Sequence, residues 1–219
     1  NALAPAIEQA REAGIPVMSM NSGSDVFEDL GVTAHVGQTE YEAGYGAGVR
    51  MAGEGVSSAI CVNHEVGNTA LDLRCEGFQD GLGEGASVSV LSVGTDPTEV
   101  RNAVLAAFTS NPGIQGVLAV GPVGGEPTIA ALEDNGRLGE VALGFFDLSP
   151  TILETIAAGD AMFAIDQQQY LQGYLPVMFL TLYAQYGLLP GDNIIRTGPG
   201  FVTPDNAAQV VDLSAVGIR

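Results

Sequence analysis

Short apolar runs alternate with helix-like segments along the whole 219-residue chain. Apolar residues recurring every three or four positions predict helices at 3–13, 40–53, 69–82, 97–110, 126–135, 150–158, 169–186 and 204–213. The runs between them predict strands at 15–20, 33–36, 59–62, 88–93, 117–120, 141–146, 162–165 and 194–195. Strands that are apolar throughout and alternate with helices are typical of a parallel sheet covered on both faces. The pattern therefore predicts an α/β fold.

Several predicted helices begin with a capping residue followed by proline, which fits the first helical position. These pairs are Ser149-Pro150, Asp96-Pro97 and Thr203-Pro204. Asp96 with Glu99, and Thr69 with Asp72, also have the three-residue spacing of a capping box.

The residues that follow the predicted strands are mostly polar. Because parallel strands connected by right-handed crossovers end at one edge of the sheet, ligands of such folds bind there. The candidate ligand-binding residues at this edge are Asn21, Ser22, His64, Glu65, Asn68, Gly121, Phe146, Asp147 and Gln167. Amide and carboxylate groups suit hydroxyl recognition, and an aromatic ring offers an apolar face to the C–H side of a sugar.

Each candidate also has a purely structural interpretation. Asn68 could cap the helix that begins at Thr69, and Asp147 could cap the helix that begins at Pro150. His64 could be a hydrogen-bonded histidine at a strand end. Together at one sheet edge, however, these residues favour a polar binding cleft.

The charge is strongly one-sided. Twenty-six acidic residues face seven basic ones, all of them arginine, and the net charge is −19. Such a surface repels phosphate backbones and anionic membranes, so nucleic-acid binding is not expected. An acidic chain without lysine fits either a saline habitat or a biased codon usage, and the sequence does not choose between them.

Cys61 and Cys75 are the two cysteines of the chain. Because Cys61 lies at a strand and Cys75 on the next helix, a disulfide in an oxidising compartment is the favoured interpretation, and two buried thiols are the alternative. The Cys61-Val62-Asn63-His64 spacing resembles a metal motif, but a closed zinc site needs four ligands. No metal site is predicted.

Enzyme signatures are weak. Gly44-Tyr45-Gly46-Ala47-Gly48 has the wrong spacing for a nucleotide-binding loop and lies in a helical pattern, so we interpret it as a close helix-packing surface. The sequence contains no G-x-S-x-G elbow, P-loop or evident nucleophile–base pair. The apolar run 174–190 is too mixed for a membrane span and predicts a buried helix. We expect neither catalysis nor a cofactor.

The order of these pieces resembles the periplasmic sugar-binding proteins of the ribose-binding type, the solute receptors of ATP-driven (ABC) importers. The stretches that carry the resemblance are 10–20, 39–48, 73–78, 143–147, 164–167 and 200–203. It implies two similar doubly wound, parallel-sheet lobes joined by three hinge crossings, with a sugar or polyol bound between them by hinge closure. It also implies a periplasmic protein that acts as a monomer and delivers its solute to the importer permease.

The resemblance assigns roles and boundaries. Its first lobe corresponds to 1–37 with 167–199, and its second to 38–166 with 200–219. The family's ligand carboxylate matches Asp147, its hinge glutamine Gln167, and the first-lobe strand-end position Asn21. Ribose-type proteins have aspartate and arginine where this chain has Asn21-Ser22, and asparagine where it has Gly121. Their second-lobe arginine falls near Asp72, so ribose itself is not predicted.

Family members have further strand–helix units before the first matching stretch. We therefore expect the first lobe to be incomplete in this sequence, with the missing N-terminal part holding a signal peptide. The alternative hypothesis is the effector-binding core of a lactose-repressor-type regulator, which shares the lobes. That interpretation requires a basic helix-turn-helix segment, and the net charge of −19 argues against it.

Overall fold

The computed structural model describes residues 3–219. Its strands are β1 (Met18–Asn21), β2 (Ala34–Gly37), β3 (Ser58–Asn63), β4 (Ser87–Ser92), β5 (Gly116–Ala119), β6 (Ala142–Phe146), β7 (Phe163–Asp166), β8 (Ile194–Arg196) and β9 (Gly200–Val202). Its helices are α1 (Ala4–Glu12), α2 (Glu40–Gly53), α3 (Thr69–Leu82), α4 (Pro97–Ser110), α5 (Pro122–Asp134), α6 (Pro150–Ala158), α7 (Gln169–Tyr186) and α8 (Ala207–Ala215). The predicted α/β alternation is therefore present.

The chain divides into two compact units. One consists of Asn1–Thr39 with Gln167–Gly198, and the other of Glu40–Asp166 with Pro199–Arg219. The chain thus passes between units three times. That these units are the two lobes of a binding protein stays a prediction.

The first unit contains a three-stranded parallel sheet in the order β1-β2-β8, with α7 packed on β1 and β2. His35 on β2 is fully buried, and its Nδ1 lies 2.9 Å from the hydroxyl of Ser19 on β1. Its Nε2 has no hydrogen-bond partner among residues 3–219. Burial lowers the pKa of His35 below its usual 6.5, and the charge of Asp25 opposes this only in part.

The second unit contains a six-stranded sheet in the order β4-β3-β5-β6-β7-β9. Its first five strands are parallel, and β9 pairs antiparallel with β7. This edge strand departs from the predicted parallel sheet, because no strand was predicted at 200–202. Side chains alternate between two buried clusters, as in Ile60 against Cys61 and Phe145 against Phe146, so helices cover both faces.

Helix starts follow the predicted caps in part. Asp96 accepts hydrogen bonds from the amides of Thr98 and Glu99, and Ser149 accepts one from Ile152. The Thr203-Pro204 start was wrong, because α8 begins at Ala207.

The fifth helix begins earlier than predicted. Its first residue is Pro122, and Pro127 lies inside the helix rather than near its start. An internal proline normally disfavours a helix. Here the burial of Gly124, Gly125 and Pro127 on one side of α5 outweighs that cost.

Helices α2 and α3 approach closely through glycines. A Cβ atom at Gly44 would overlap the backbone carbonyl of Arg74, and one at Gly77 would overlap the carbonyl of Tyr41. Gly48 and Gly81 meet the opposite backbone in the same way. The glycine-rich segment of α2 is therefore a helix-packing surface, as the sequence predicted.

Replacing Gly44 by Ala should lower the free energy of unfolding by about 1–3 kcal/mol, because the added methyl group meets rigid backbone. Gly53→Ala on the same helix is the matched control, since a Cβ there has no heavy atom within 4 Å. Urea titrations monitored by circular dichroism measure both values. Equal stabilities of the two variants would contradict the close-packing interpretation.

The buried His35 should make the protein less stable at mildly acidic pH. Its folded-state pKa lies below the unfolded value of 6.5, so its contribution is present above that pH and is lost as pH falls. Unfolding free energies at pH 7.5 and 5.5 should therefore differ less in His35→Gln than in the wild type. An identical drop in both proteins would show that His35 is not responsible.

Candidate ligand-binding site

The carboxyl ends of β3, β5 and β6 lie side by side in the six-stranded sheet of the second unit. His64 follows β3, Gly121 follows β5 and Asp147 follows β6. The structure therefore brings these three candidates to one sheet edge, as parallel topology requires.

Asp147 has a backbone conformation that non-glycine residues rarely adopt. Its φ angle is 65°, and its amide donates to the carbonyl of Ile165 at 2.9 Å. The carboxylate is one-fifth exposed and lies 3.8 Å from Nη1 of Arg74. Asp147 does not cap α6, because Ser149 does. Strain of this kind persists where the surroundings fix a residue, and it is concentrated at ligand sites.

Phe146 does not have the predicted role of a sugar-stacking surface. Its side chain is fully buried in the core with Phe163 and Ile165. The guanidinium of Arg74 lies over the ring, 4.3 Å from its centroid. Because Arg74 covers this face, the ring supports a cation rather than a solute.

Arg74 is the central residue that the sequence analysis missed. Only 4% exposed, it donates from Nε to Glu40 at 2.6 Å and from Nη1 to the carbonyl of Val120 at 2.8 Å. Arg74 therefore reaches across to α2 and to the end of β5 rather than to Asp72 or Glu76, the acidic residues near it on α3. Asp72 instead accepts hydrogen bonds from Asn63 and from the amide of Gly67. No short-range sequence spacing links Arg74 to Glu40.

His64 lies against Gly121. A Cβ atom at position 121 would be 2.9 Å from Cε1 of the imidazole. Nδ1 is buried without a hydrogen-bond partner in the described part of the chain. Loss of hydration lowers the pKa of His64 below 6.5; Glu65 raises it, Arg74 lowers it and Asp147 raises it, each less strongly. The imidazole is therefore neutral at neutral pH.

The other candidates of this loop serve local structure. Asn68 caps α3 by accepting from the amide of Ala70, so the Thr69–Asp72 capping box was wrong. Its amide group also donates to the carboxylate of the exposed Glu65 at 3.1 Å. Asn68 therefore acts as a helix cap, and the exposed Glu65 stabilises the same loop by accepting its hydrogen bond.

The first unit contains a network of amide side chains. Asn21, with a φ of 67°, donates to Gln167 at 3.4 Å and to Gln172 at 3.1 Å. Gln172 in turn donates to the hydroxyl of Thr197. Gln167 is buried within this network, whereas Ser22 is exposed. The sequence did not identify Gln172 and Thr197. Gln172 lies within α7, and Thr197 follows β8, which no local pattern places in the same sheet as β1.

Cys61 on β3 and Cys75 on α3 form a disulfide, with their Cα atoms 5.7 Å apart. This bond excludes Cys61 as a metal ligand and ties α3, which carries Arg74, to the sheet. Within residues 3–219, no three histidine, cysteine or acidic side chains are grouped as a metal site requires.

Comparisons with known proteins agree with this architecture. A family model described as a periplasmic binding protein domain matches residues 1–188. The xylose/arabinose-binding protein XylF of Sulfolobus acidocaldarius is 27% identical over 94% of this chain, which spans 55% of that protein. The chain therefore covers about half the length of this curated relative.

Solved structures are also similar. A carbohydrate transporter from Acidothermus cellulolyticus in complex with myo-inositol has a TM-score of 0.91 and 35% identity, over 100% of this chain and 76% of that one. A periplasmic sugar-binding protein from Legionella pneumophila has a TM-score of 0.82 at 24% identity, over 90% and 74% of the two chains, and shows the fold alone. No helix of the described residues is long and apolar enough to span a membrane.

The contact between His64 and Gly121 predicts an energetic coupling. Gly121→Ala should lower the unfolding free energy by about 1 kcal/mol, because the methyl group displaces the imidazole. In a His64→Ala background the same change should cost almost nothing. Urea unfolding of the two single variants and the double variant measures the coupling. Equal costs in both backgrounds would show that the two positions are independent.

Proposed function

The chain belongs to the family of periplasmic binding protein domains, and from this premise we propose that it is the solute receptor of an ABC importer that binds a sugar or polyol. The related proteins named above bind or transport sugars and polyols, which supports this function over a repressor core. Their names describe a sugar-binding protein and a carbohydrate transporter, and we propose that this chain is a binding protein rather than an enzyme.

The observation that carries the proposal is the strained Asp147 at the sheet edge. The backbone of Asp147 is left-handed, and its side chain is partly exposed at the end of β6. Its carboxylate can accept hydrogen bonds from neighbouring hydroxyl groups. The energetic cost of this backbone conformation has a reason when the fixed carboxylate binds a ligand.

His64 supplies the complementary donor. The first turn of α5 lies beside its buried Nδ1, since a Cβ at Gly124 would be 3.9 Å away. The positive end of a helix favours a lone pair over a proton there, which places the proton of the neutral ring on Nε2. Nε2 can then donate to a solute oxygen while Asp147 accepts.

The local charges favour a neutral solute. Arg74, the cation nearest to Asp147 by the contacts described above, is already paired with Glu40. Asp147 and the exposed Glu65 leave this edge acidic, so a sugar acid or sugar phosphate would be repelled. Neutral polyhydroxylated molecules fit this balance.

Asn21, Ser22 and Gln167 of the first unit are proposed as further solute contacts. Asn21 supports this role because it ends β1 and has a positive φ, as Asp147 has directly after β6. Most of the hydrogen-bonding capacity of Gln167 is directed to the network with Gln172, so we expect Asn21 and Ser22 to bind more directly.

The remaining partners follow from the same proposal. The receptor would act as a monomer and deliver its solute to the importer permease, without contact to nucleic acid. The disulfide between Cys61 and Cys75 favours an oxidising compartment, which supports a periplasmic location.

A thermal-shift screen of the intact protein against neutral pentoses, hexoses and inositols tests this function. A solute at 100 times its Kd should stabilise the protein by about 2.7 kcal/mol and raise the Tm. Asp147→Asn, which retains the left-handed backbone readily, should weaken binding by about 1–3 kcal/mol in isothermal titration calorimetry.

Glu133→Gln removes an exposed carboxylate elsewhere on the second unit and should bind as the wild type does. Tighter binding of sugar phosphates than of neutral sugars would contradict the proposed solute class. Unchanged affinity in Asp147→Asn would show that Asp147 does not bind the solute.

A further inference from the structure

We infer that Arg74 is a positioning residue of the solute site, which sets the location of the Asp147 carboxylate through a buried network rather than by touching the solute. This inference rests on the proposed function. It concerns a residue on α3 that does not lie at a strand end.

The contacts of Arg74 join three separate parts of the second unit. Its Nε donates to Glu40 at the start of α2, and its Nη1 donates to the carbonyl of Val120 immediately after β5. The same Nη1 lies 3.8 Å from Oδ2 of Asp147, and the guanidinium carbon lies over the ring of Phe146. One side chain therefore fixes the ends of two neighbouring strands from which solute-binding groups project.

Stability alone is a weak explanation for this arrangement. Burying an arginine and a carboxylate costs hydration free energy, and such pairs are often replaceable by apolar side chains without loss of stability. Both members of the pair are about 95% buried. The contact with Asp147 gives the buried cation a second role, because the strained backbone at φ 65° must be held by its surroundings.

The geometry requires a guanidinium. A planar group with several fixed donors can face Glu40, Val120 and Asp147 while its central carbon lies over the ring of Phe146. A lysine ammonium would supply the charge but could not face all of these partners at once. Glu40 neutralises Arg74 from the side of α2, so the network holds Asp147 without making the edge attractive to anions.

The double variant Glu40→Gln/Arg74→Met tests the inference, because it removes the buried pair without leaving either charge unpaired. Myo-inositol, D-xylose and L-arabinose are titrated calorimetrically into the wild type and the variant. We expect a folded protein whose affinity is about 10- to 100-fold weaker, by analogy with the loss of groups that orient metal ligands. Arg74→Lys should recover only part of this loss.

Arg101→Met/Asp134→Asn is the matched control, since it removes an arginine–carboxylate pair that is partly exposed, on α4 and α5. It should bind as the wild type does. Binding of a sugar with equal affinity by the wild type and by Glu40→Gln/Arg74→Met would overturn the positioning role but leave the proposed function intact. Absence of binding of any sugar by the wild type would overturn both.

Hydrogen exchange gives a readout that does not depend on solute. The amide of Asp147, which donates to Ile165, should exchange at least about tenfold faster in the double variant, while amides at the centre of β3 stay protected. Unchanged protection of Asp147 would show that Arg74 is only half of a structural ion pair.

Discussion

The geometry of the sheet edge in the second unit depends on the contacts of one buried group, the guanidinium of Arg74. It reaches from α3 to Glu40 on α2, to the carbonyl after β5 and towards Asp147 after β6. This reach is available because glycines allow the backbones of α2 and α3 to come together and because the disulfide ties α3 to β3. A buried charge can be tolerated here because Nε and Nη1 donate to acceptors and the guanidinium lies over a ring face.

The chemistry of the site follows from how these charges are distributed. Arg74 is compensated by Glu40, and His64 is kept neutral chiefly by loss of hydration. In the proposed function, the Asp147 carboxylate and the neutral His64 imidazole act together at the sheet edge, a combination suited to hydroxyl groups. The overall charge of −19 adds a general preference against anions, whereas the proposed preference for neutral solutes would come from the groups at this edge.

The sequence predicted most elements of the fold because long periodic segments leave little choice of structure. It misjudged α5, where burial overrides the cost of Pro127, and it missed β9, whose three residues pair only because β7 is there to receive them. It named Asp147 and His64 correctly as strand-end residues of one edge. It assigned Phe146 a solute-binding face that Arg74 covers, and it did not name Arg74 as a site residue.

By itself, the sequence determined the alternation of strands and helices, the polar edge of the sheet, the capping of α4 and α6, and the excess of negative charge, because each depends on residues close together in the chain. Only the tertiary structure decided which groups at that edge are available. Arg74 and Glu40 are 34 positions apart, and Arg74 and Asp147 are 73 apart (147 − 74). Such pairings depend on how close α2 and α3 lie and on the order of the strands, which no local pattern encodes.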